Sequence, residues 1–599
     1  MIMSFLQACV CGNPIGRAKC CNLKISSKPW SGNTKKVAIS DACILLKQSI
    51  QQQNYMLGGK ISKAVLTKVN NHPKIHYYLG LAQFAQGNLI QAESLMLTAF
   101  NDGLKQPDAY LNFANLVLQK GNTLVALKYL KFALQIQPIF LQALELTYKI
   151  NLRSQNYEPA IENAKKLIEY FPDKAMHHFY LADAYHNNIQ DKQALENIEQ
   201  GLTLAPNNIA LLMMKASIYE LQNTISGSSD IIEQILKIEP SNINALILKS
   251  RLFIRQDKLQ EAKTLLTKLR VVDGLDVSQK QAIYSELVMA NRANLDYKET
   301  WRNAELMNKV SAQRHKDSVT IEQIDQYFTQ LDQCPLLQKS TSKISENQLK
   351  HNWLFIVGFP RVGSTLLEKC LFNTFDCGSA SESKAIVEME KQVFAMTNKS
   401  WWTLDLKDWQ TIDTNTIIET AKNTYFTQGV NPEHALVDKN LLNLSRLLFI
   451  GHLLPSSPVV RIVRHPLDIV VSCFLNNFAS HEAWHSNLKL TAEYLLRVEQ
   501  YWFNIESKLV NPVYVLKYEE LVAHETLPTA LRDFLEQYWK ASPTPVSNQV
   551  FTTRTASYAQ VNQQINKSGL KTYLNYMDML PAEIVNMLRP IAKRWGYHI

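Results

Sequence analysis

Residues 353–368 read WLFIVGFPRVGSTLLE, and this stretch decides the fold of the second half of the chain. Five apolar residues precede a loop that contains Gly358, Pro360 and Gly363, and a helical pattern follows the loop. This order predicts a strand, a loop and a helix, in which backbone N–H groups and the positive end of the helix dipole converge on one place. The stretch therefore predicts a binding site for an anionic group.

Strand-like runs alternate with helical patterns through the rest of this half. The predicted strands are 354–357, 435–437, 459–463 and 513–517. Such alternation is typical of an α/β domain with a mostly parallel sheet, which binds its ligands at the carboxyl ends of the strands. We therefore predict a domain like those that carry a nucleotide-binding P-loop.

The first half of the chain repeats itself every 34 residues. Two series show the period: Pro138, Pro172, Pro206 and Pro240, and Ala92, Ala126, Ala160, Ala194, Ser228 and Ala262. A 34-residue period with a small residue inside each unit and a closing proline resembles the tetratricopeptide repeat, and six units can be recognised. The resemblance implies an α superhelix whose concave face binds a peptide or a protein.

The packing within one unit can be predicted from the spacing of its apolar residues. In residues 173–206, Leu181, Ala182 and Tyr185 fall on one face of a first helix. Ala194, Ile198 and Gly201 fall on one face of a second helix, where small side chains allow the two helices to approach closely. Proline then ends the second helix, because it cannot continue the backbone hydrogen bonds.

The length of the chain indicates more than one domain. A chain of 599 residues exceeds the size of a single core. We expect a disordered or irregular N-terminus over 1–39, a helical array with capping helices over 40–334, a linker over 335–350 and the α/β domain over 351–599.

The chain has a net charge of +10 but lacks the dense basic runs of a nucleic-acid binder. No apolar run approaches the roughly 20 residues that cross a membrane. Neither nucleic acid nor membrane is therefore an expected partner.

Cysteine usage indicates the cellular compartment. The cysteines after residue 300 stand singly among apolar residues, as free thiols in a reducing compartment do. We therefore expect a cytoplasmic protein. Cys9, Cys11, Cys20 and Cys21 have no histidine beside them, so we expect no metal site there.

The loop of residues 358–365 has the spacing of a triphosphate-binding loop, but Ser364 stands where the lysine would be. A kinase or ATPase would lack the cation that it needs beside the transferred phosphoryl group. Pro360 to Thr365 resembles instead the 5′-phosphosulfate loop of sulfotransferases, usually Pro-Arg-Ser-Gly-Thr-Thr, with Val362 in place of the first serine.

Further segments carry the same resemblance in the same order. Residues 459–472, with Arg464 and Ser472, resemble the family's 3′-phosphate segment. Residues 437–440 and 515–521 resemble two other segments that are typical of the family. Residues 554–571 look like the C-terminal nucleotide-binding segment of tyrosylprotein sulfotransferases and of bacterial repeat-fused sulfotransferases. The resemblance covers about residues 351–576 and implies a sulfotransferase fold.

The resemblance also implies a mechanism without a metal, with 3′-phosphoadenosine 5′-phosphosulfate as the sulfuryl donor. Glu382 would be the catalytic base, Arg361 would contact the transferred sulfonate, and Lys439 would neutralise the leaving 5′-phosphate. The donor would be bound by Arg361, Val362, Gly363, Ser364, Thr365, Arg464, Ser472, Ser557 and Lys571.

The sequence leaves alternatives open. Protein tyrosine is the favoured acceptor, whereas a carbohydrate or a small phenol remains an alternative. A repeat scaffold with a decayed nucleotide-binding domain is the first rival, because Val362 and Ser381 depart from the family pattern. A nucleotide-dependent kinase is the second.

Overall fold

The computed structural model describes residues 23–32, 35–69, 72–314, 319–338, 352–478, 483–524, 526–539, 541–543 and 569–599. The chain forms two compact units, one that ends at Ala205 and one that begins at Pro206. Among the helices in these described ranges, none is long and apolar enough to cross a membrane.

The first unit opens with a short antiparallel pair, β1 (Lys24–Ser26) and β2 (Lys36–Ala38), and continues with helices. The helices are α1 (Lys28–Ser31), α2 (Ile39–Gln51), α3 (Tyr55–Leu66), α4 (Pro73–Ala85), α5 (Leu89–Asn101), α6 (Pro107–Gln119), α7 (Thr123–Ile136), α8 (Leu141–Arg153), α9 (Tyr157–Tyr170), α10 (Ala175–Asn187) and α11 (Asp191–Leu204).

Small residues at the repeat position explain how these helices pair. Ala92, Ala126, Ala160 and Ala194 lie on the second helix of their pairs, and each is fully buried. The buried residues of α11 are Ala194, Ile198 and Gly201, as the spacing predicts. A larger side chain at these positions would hold the paired helices apart, so the period reflects close helix packing.

The second unit begins with further helices of the same kind. They are α12 (Ile209–Leu221), α13 (Ile225–Ile238), α14 (Ile243–Arg255), α15 (Leu259–Leu269), α16 (Val277–Ala293), α17 (Tyr297–Arg314) and α18 (Ile321–Asp332). Ser228 is fully buried in α13, and its Oγ donates a hydrogen bond to the carbonyl oxygen of Ala216 at 2.8 Å. Residues 225–238, in which Ser226, Gly227 and Ser229 surround Ser228, therefore form a helix like those of the other pairs, and the predicted repeat array is confirmed.

In the described residues of the α/β domain, five parallel strands form one sheet. The strands are β3 (Trp353–Val357), β4 (Gly378–Ser381), β5 (Leu436–Asp438), β6 (Val459–Val463) and β7 (Val513–Lys517), and their order is β4-β5-β3-β6-β7. All four pairings are parallel, which confirms the predicted fold class. β3 lies at the centre of the sheet and is fully buried, so the loop that follows it begins in the middle of the domain.

Helices cover this sheet. They are α19 (Ser364–Phe372), α20 (Ala385–Thr397), α21 (Leu406–Gln410), α22 (Thr414–Thr427), α23 (Leu447–Leu453), α24 (Pro466–Phe474), α25 (Leu488–Ile505), α26 (Tyr518–His524), α27 (Thr529–Tyr538) and α28 (Ala582–Arg594). Short 3-10 helices occupy Pro335–Gln338, Trp401–Thr403, Leu441–Arg446, Ala483–Ser486, Glu506–Lys508 and Thr572–Met579.

Helices α17 and α18 share the core of the α/β domain. The rings of Trp301 and Phe474 lie 4.8 Å apart, and those of Phe328 and Tyr501 lie 5.3 Å apart. Asp332 also accepts a hydrogen bond from Arg497 at 2.6 Å. Most of the expected linker, residues 339–350, lies outside the described residues, so the predicted domain boundaries stay a prediction.

Candidate functional site

The loop between β3 and α19 is held tightly against its neighbours. A Cβ on Gly358 would lie 3.0 Å from the carbonyl oxygen of Ile462, so the loop backbone passes close to β6. Gly363 has φ +96°, and a Cβ there would overlap the ring of Tyr518. Arg361 has φ 73°, an unfavourable conformation for a residue with a side chain. Packing therefore fixes the loop in a conformation that needs glycine.

Three of the predicted binding residues meet at this loop. The Nε of Arg361 donates a hydrogen bond to the Oγ of Ser472 on α24 at 3.0 Å. Arg464, which follows β6, donates from Nη1 to the carbonyl oxygen of Arg361 at 2.8 Å and from Nη2 to that of Gly569. Its guanidinium lies over the ring of Tyr518, 4.7 Å from the centroid. The structure thus brings Arg361, Arg464 and Ser472 into one cluster.

Positive charge is concentrated in this cluster. Burial, together with the positive charges of Arg464 and Arg292, lowers the pKa of Arg361 to about 10. Like charges at close range repel each other, and a bound anion would offset that repulsion. The electrostatics therefore favour an anionic ligand at the loop.

Lys439 directly follows β5 and contacts α19, the helix that begins after the loop. Its ammonium is fully buried and forms an ion pair with Glu368 of α19, with 2.8 Å between Nζ and Oε2. Glu368 also accepts a hydrogen bond from Ser379 of β4. The pair therefore links β4, β5 and α19 through one buried carboxylate.

The neighbouring Asp438 is buried as well. Burial raises the pKa of its carboxyl to about 6, although the backbone N–H of Asn440 and the hydroxyl of Tyr425 both donate hydrogen bonds to it, at 2.9 and 2.7 Å. These bonds orient the turn after β5, which carries Lys439.

Glu382 follows the last residue of β4 and is exposed. Ser381 has φ 49°, in the left-handed region, and its carbonyl oxygen accepts a hydrogen bond from the backbone N–H of Lys439 at 2.8 Å. The predicted base and the predicted lysine therefore lie on adjacent strand ends. Glycine adopts the left-handed conformation without strain, so it would suit position 381 better than serine does.

Val362 and its neighbours contribute to the loop in different ways. The side chain of Val362 is buried in the hydrophobic core, so only its backbone can face a ligand. Ser364 and Thr365 form the first turn of α19, whose N-cap is Gly363. Below the loop, the Sγ of Cys473 lies 3.9 Å from the carbonyl oxygen of Pro360, and burial raises the pKa of this thiol to about 12.

The C-terminal part of the predicted site is only partly described. Ser557 lies outside the described residues. Lys571 has φ 53° and an exposed side chain, and its backbone N–H donates to the Oδ2 of Asp468 at 3.0 Å. The N–H of Tyr573 donates to the other oxygen of Asp468 at 2.9 Å. Asp468 therefore holds the chain at Lys571 against α24.

Sequence reasoning missed the residues that position this site. Glu368, Asp468 and Tyr518 each contact a predicted site residue, yet each comes from a different segment of the chain. A buried acid on an otherwise apolar helix face, as at Glu368, is the one local signal that could have been found. Among the described residues, no group of three or more His, Cys, Asp or Glu side chains is placed to hold a metal ion.

Comparison with known proteins finds a match to one protein family for part of the chain. Residues 354–539 match a model of the sulfotransferase family. Three solved structures resemble the helical array: a tetratricopeptide repeat protein of Parabacteroides merdae (17% identity, 41% of this chain and 96% of that one, TM-score 0.32), PilF of Pseudomonas aeruginosa (18%, 36% and 97%, 0.29) and a thermophilic TPR protein of Thermus thermophilus (21%, 30% and 99%, 0.27). No curated protein sequence matches. The α/β domain is thus similar to the sulfotransferase family over residues 354–539, and the helical array is similar in fold to tetratricopeptide repeat proteins.

Proposed function

We propose that the α/β domain, which matches the sulfotransferase family over residues 354–539, transfers a sulfuryl group from 3′-phosphoadenosine 5′-phosphosulfate to an acceptor hydroxyl. The observation that carries the proposal is the cluster of Arg361, Arg464 and Ser472 around a loop that has Ser364 in place of a triphosphate-binding lysine. Two guanidinium groups and a hydroxyl at one loop suit a nucleotide with separate phosphate groups.

The residues of the loop fit this donor. The backbone N–H groups of the loop and of the first turn of α19 suit a phosphate group. The loop conformation that presents them needs glycine at Gly358 and Gly363, where a Cβ would meet Ile462 and Tyr518. Arg464 and Ser472 would bind the 3′-phosphate, and Arg361 would contact the 5′ side. The buried side chain of Val362 supports an intact loop rather than a decayed one, because a hydroxyl at that position would not face the ligand either.

The chemistry divides among three side chains. When the donor is bound, the acceptor oxygen forms a bond to sulfur while the bond between sulfur and the 5′-phosphate oxygen breaks, which leaves adenosine 3′,5′-bisphosphate. Glu382 accepts the acceptor proton, Lys439 neutralises the charge that develops on the 5′-phosphate oxygen, and Arg361 stabilises the transferred group. Ser557 and Lys571 would complete the binding of the nucleotide.

We further propose that the acceptor is a tyrosine of a peptide or protein that the helical array holds, since repeat arrays present extended binding surfaces. A cytoplasmic location is supported by five free cysteines in the described residues, Cys43, Cys334, Cys370, Cys377 and Cys473. Incubation of the purified protein with radiolabelled donor and host lysate would identify the labelled acceptor. Label on carbohydrate or on a small phenol would refute the tyrosine assignment.

Binding of adenosine 3′,5′-bisphosphate tests the proposed donor directly. Isothermal titration calorimetry should detect binding without a divalent metal, whereas a decayed scaffold would show none. A protein that instead transfers the γ-phosphate of ATP in the presence of Mg²⁺ would be a kinase, and the sulfotransferase proposal would be wrong.

Arg464→Ala should weaken binding of adenosine 3′,5′-bisphosphate by roughly 10- to 100-fold, because it removes a charge-assisted contact to a phosphate. Arg497→Ala is the matched control, since Arg497 is another arginine of the second unit with a largely buried side chain and carboxylate partners, Asp332 and Asp325. Calorimetry of both variants, after thermal unfolding has shown that they are folded, measures the difference. Equal affinities of the two variants would contradict a phosphate site at Arg464.

Glu382→Gln should lower the rate of sulfuryl transfer by roughly 10²- to 10⁴-fold and leave nucleotide affinity near that of the wild type, because a general base acts on the acceptor. Glu388→Gln is the control, since this glutamate lies on nearby α20 and pairs with Lys391 at 2.7 Å. Initial rates of label transfer and calorimetry separate the two quantities. A loss of affinity as large as the loss of rate would show that Glu382 is not the base.

A further inference from the structure

We propose that Arg292, in the last turn of helix α16, is a third cation of the donor site and binds the donor nucleotide together with Arg361 and Arg464. Arg292 belongs to the helices that precede the α/β domain and lies outside the residues that match the sulfotransferase family. This inference rests on the proposed function of that domain.

Helices α16 and α17 contact the end of the helix that carries Ser472. The Nε2 of Gln281 donates a hydrogen bond to the Oδ1 of Asn477 at 2.7 Å. The Nδ2 of Asn308 donates to the carbonyl oxygen of Phe474 at 2.9 Å, and Asn308 is buried. These two bonds fix the helices α16 and α17 to the C-terminal end of α24.

The same helices contact the segment that follows Lys571. The rings of Tyr297 and Trp301, in the first turns of α17, lie 5.5 and 5.8 Å from the ring of Tyr576. Tyr576 is fully buried in the 3-10 helix of residues 572–579. Arg292 lies five residues before Tyr297, so the turn between α16 and α17 is held at the edge of the site.

The charge of Arg292 affects two residues of the α/β domain, Arg361 and Tyr576. In the ranges that the structure describes, Arg292 has no carboxylate within salt-bridge distance, and it is half-buried. Its positive charge contributes to the lowered pKa of Arg361 and opposes the rise that burial causes in the pKa of Tyr576. A half-buried arginine without a carboxylate is unfavourable by itself, because its repulsion from Arg361 is not offset within the protein.

Three guanidinium groups from three segments therefore add positive charge to one region: Arg361 from the loop, Arg464 from the end of β6 and Arg292 from α16. A ligand that offsets all three charges carries several negative charges, as a nucleotide with separate 3′ and 5′ phosphate groups does. The helical array then contributes a binding residue of its own to the transferase, in addition to any role in holding the acceptor.

Arg292→Gln tests this inference, and adenosine 3′,5′-bisphosphate is the probe. The full-length variant should bind the nucleotide about tenfold more weakly than the wild type, with a shallower dependence of affinity on salt concentration, because one charge contact of a half-buried arginine is lost. Arg292→Lys should recover part of the affinity. Arg302→Gln, whose side chain is 71% exposed and pairs with Glu299 on the same helix, should bind as the wild type does.

The outcomes separate this inference from the proposed function. If the wild type binds the nucleotide and Arg464→Ala weakens it, unchanged affinity and salt dependence of Arg292→Gln overturn the assignment of Arg292 alone. If the wild type does not bind the nucleotide, the proposed function is overturned, and the Arg292 assignment with it. Thermal unfolding of each variant shows whether a lost affinity reflects a lost fold.

Discussion

Gly363→Ala is expected to abolish measurable binding of adenosine 3′,5′-bisphosphate and to lower the free energy of unfolding of the second unit by roughly 2–5 kcal/mol. The left-handed backbone at Gly363 accounts for about 1–2 kcal/mol of this loss. The new methyl group also overlaps the ring of Tyr518, and displacing that ring costs about 1–3 kcal/mol. Since the ring of Tyr518 also supports Arg464, the displacement reaches the binding residues.

Gly429→Ala is the matched control for this prediction. Gly429 has φ +78°, so alanine has a similar backbone cost there, but a Cβ would meet no atom within 4 Å. The control should lose about 1–2 kcal/mol of stability and keep its nucleotide affinity. Tryptophan fluorescence during urea unfolding reports on the second unit, because Trp30 is the one tryptophan before residue 206 among the ten in the chain. If Gly363→Ala bound the nucleotide as well as Gly429→Ala does, the loop would not be the site.

Lys439→Met is expected to lower the free energy of unfolding by about 3–5 kcal/mol. The change leaves the carboxylate of Glu368, which is almost completely buried, without its cation. Glu368→Gln should be destabilising as well, since it leaves the ammonium of Lys439 uncompensated. The double variant Lys439→Met/Glu368→Gln removes both charges and should recover most of the loss, because replacing a buried ion pair as a whole is often nearly neutral.

The double variant also separates stability from chemistry. If Lys439 neutralises the charge on the leaving 5′-phosphate, the double variant should be folded and yet transfer label at a small fraction of the wild-type rate. Urea unfolding followed by tryptophan fluorescence and label-transfer rates measure the two effects on the same samples. A stable double variant with wild-type transfer would restrict Lys439 to a structural role.

The repeat array and most of the sheet could be predicted from sequence, because their signals are local. A small residue every 34 positions marks a close contact between two helices, and a buried parallel strand needs a continuous apolar run, as Trp353–Val357 has. Strand β4 carries no such signal, since its residues are Gly378, Ser379, Ala380 and Ser381. It forms because its backbone pairs with β5, a contact across more than 50 residues of chain.

The residues of the candidate site also fall into two groups, those with a local sequence signal and those without one. Arg361, Arg464 and Ser472 lie in motifs of fixed spacing, and the structure brings them together at the loop. Glu368 and Asp468 lie within the quoted segments and Arg292 lies outside them, but spacing assigned no role to any of the three, because their roles depend on where distant segments pack. Arg292 lies in the helical array, and nothing in the spacing of that array distinguishes it from a surface arginine.

Cys473 gives the loop a chemical reporter of its own. Its thiol lies under the carbonyl of Pro360, and burial keeps it protonated and shielded from solvent at neutral pH. A thiol reagent should therefore label this cysteine slowly in the native protein, and faster in any variant that lifts the loop. The rate of labelling at Cys473, followed by peptide mass spectrometry, would thus measure opening of the loop without donor, acceptor or turnover.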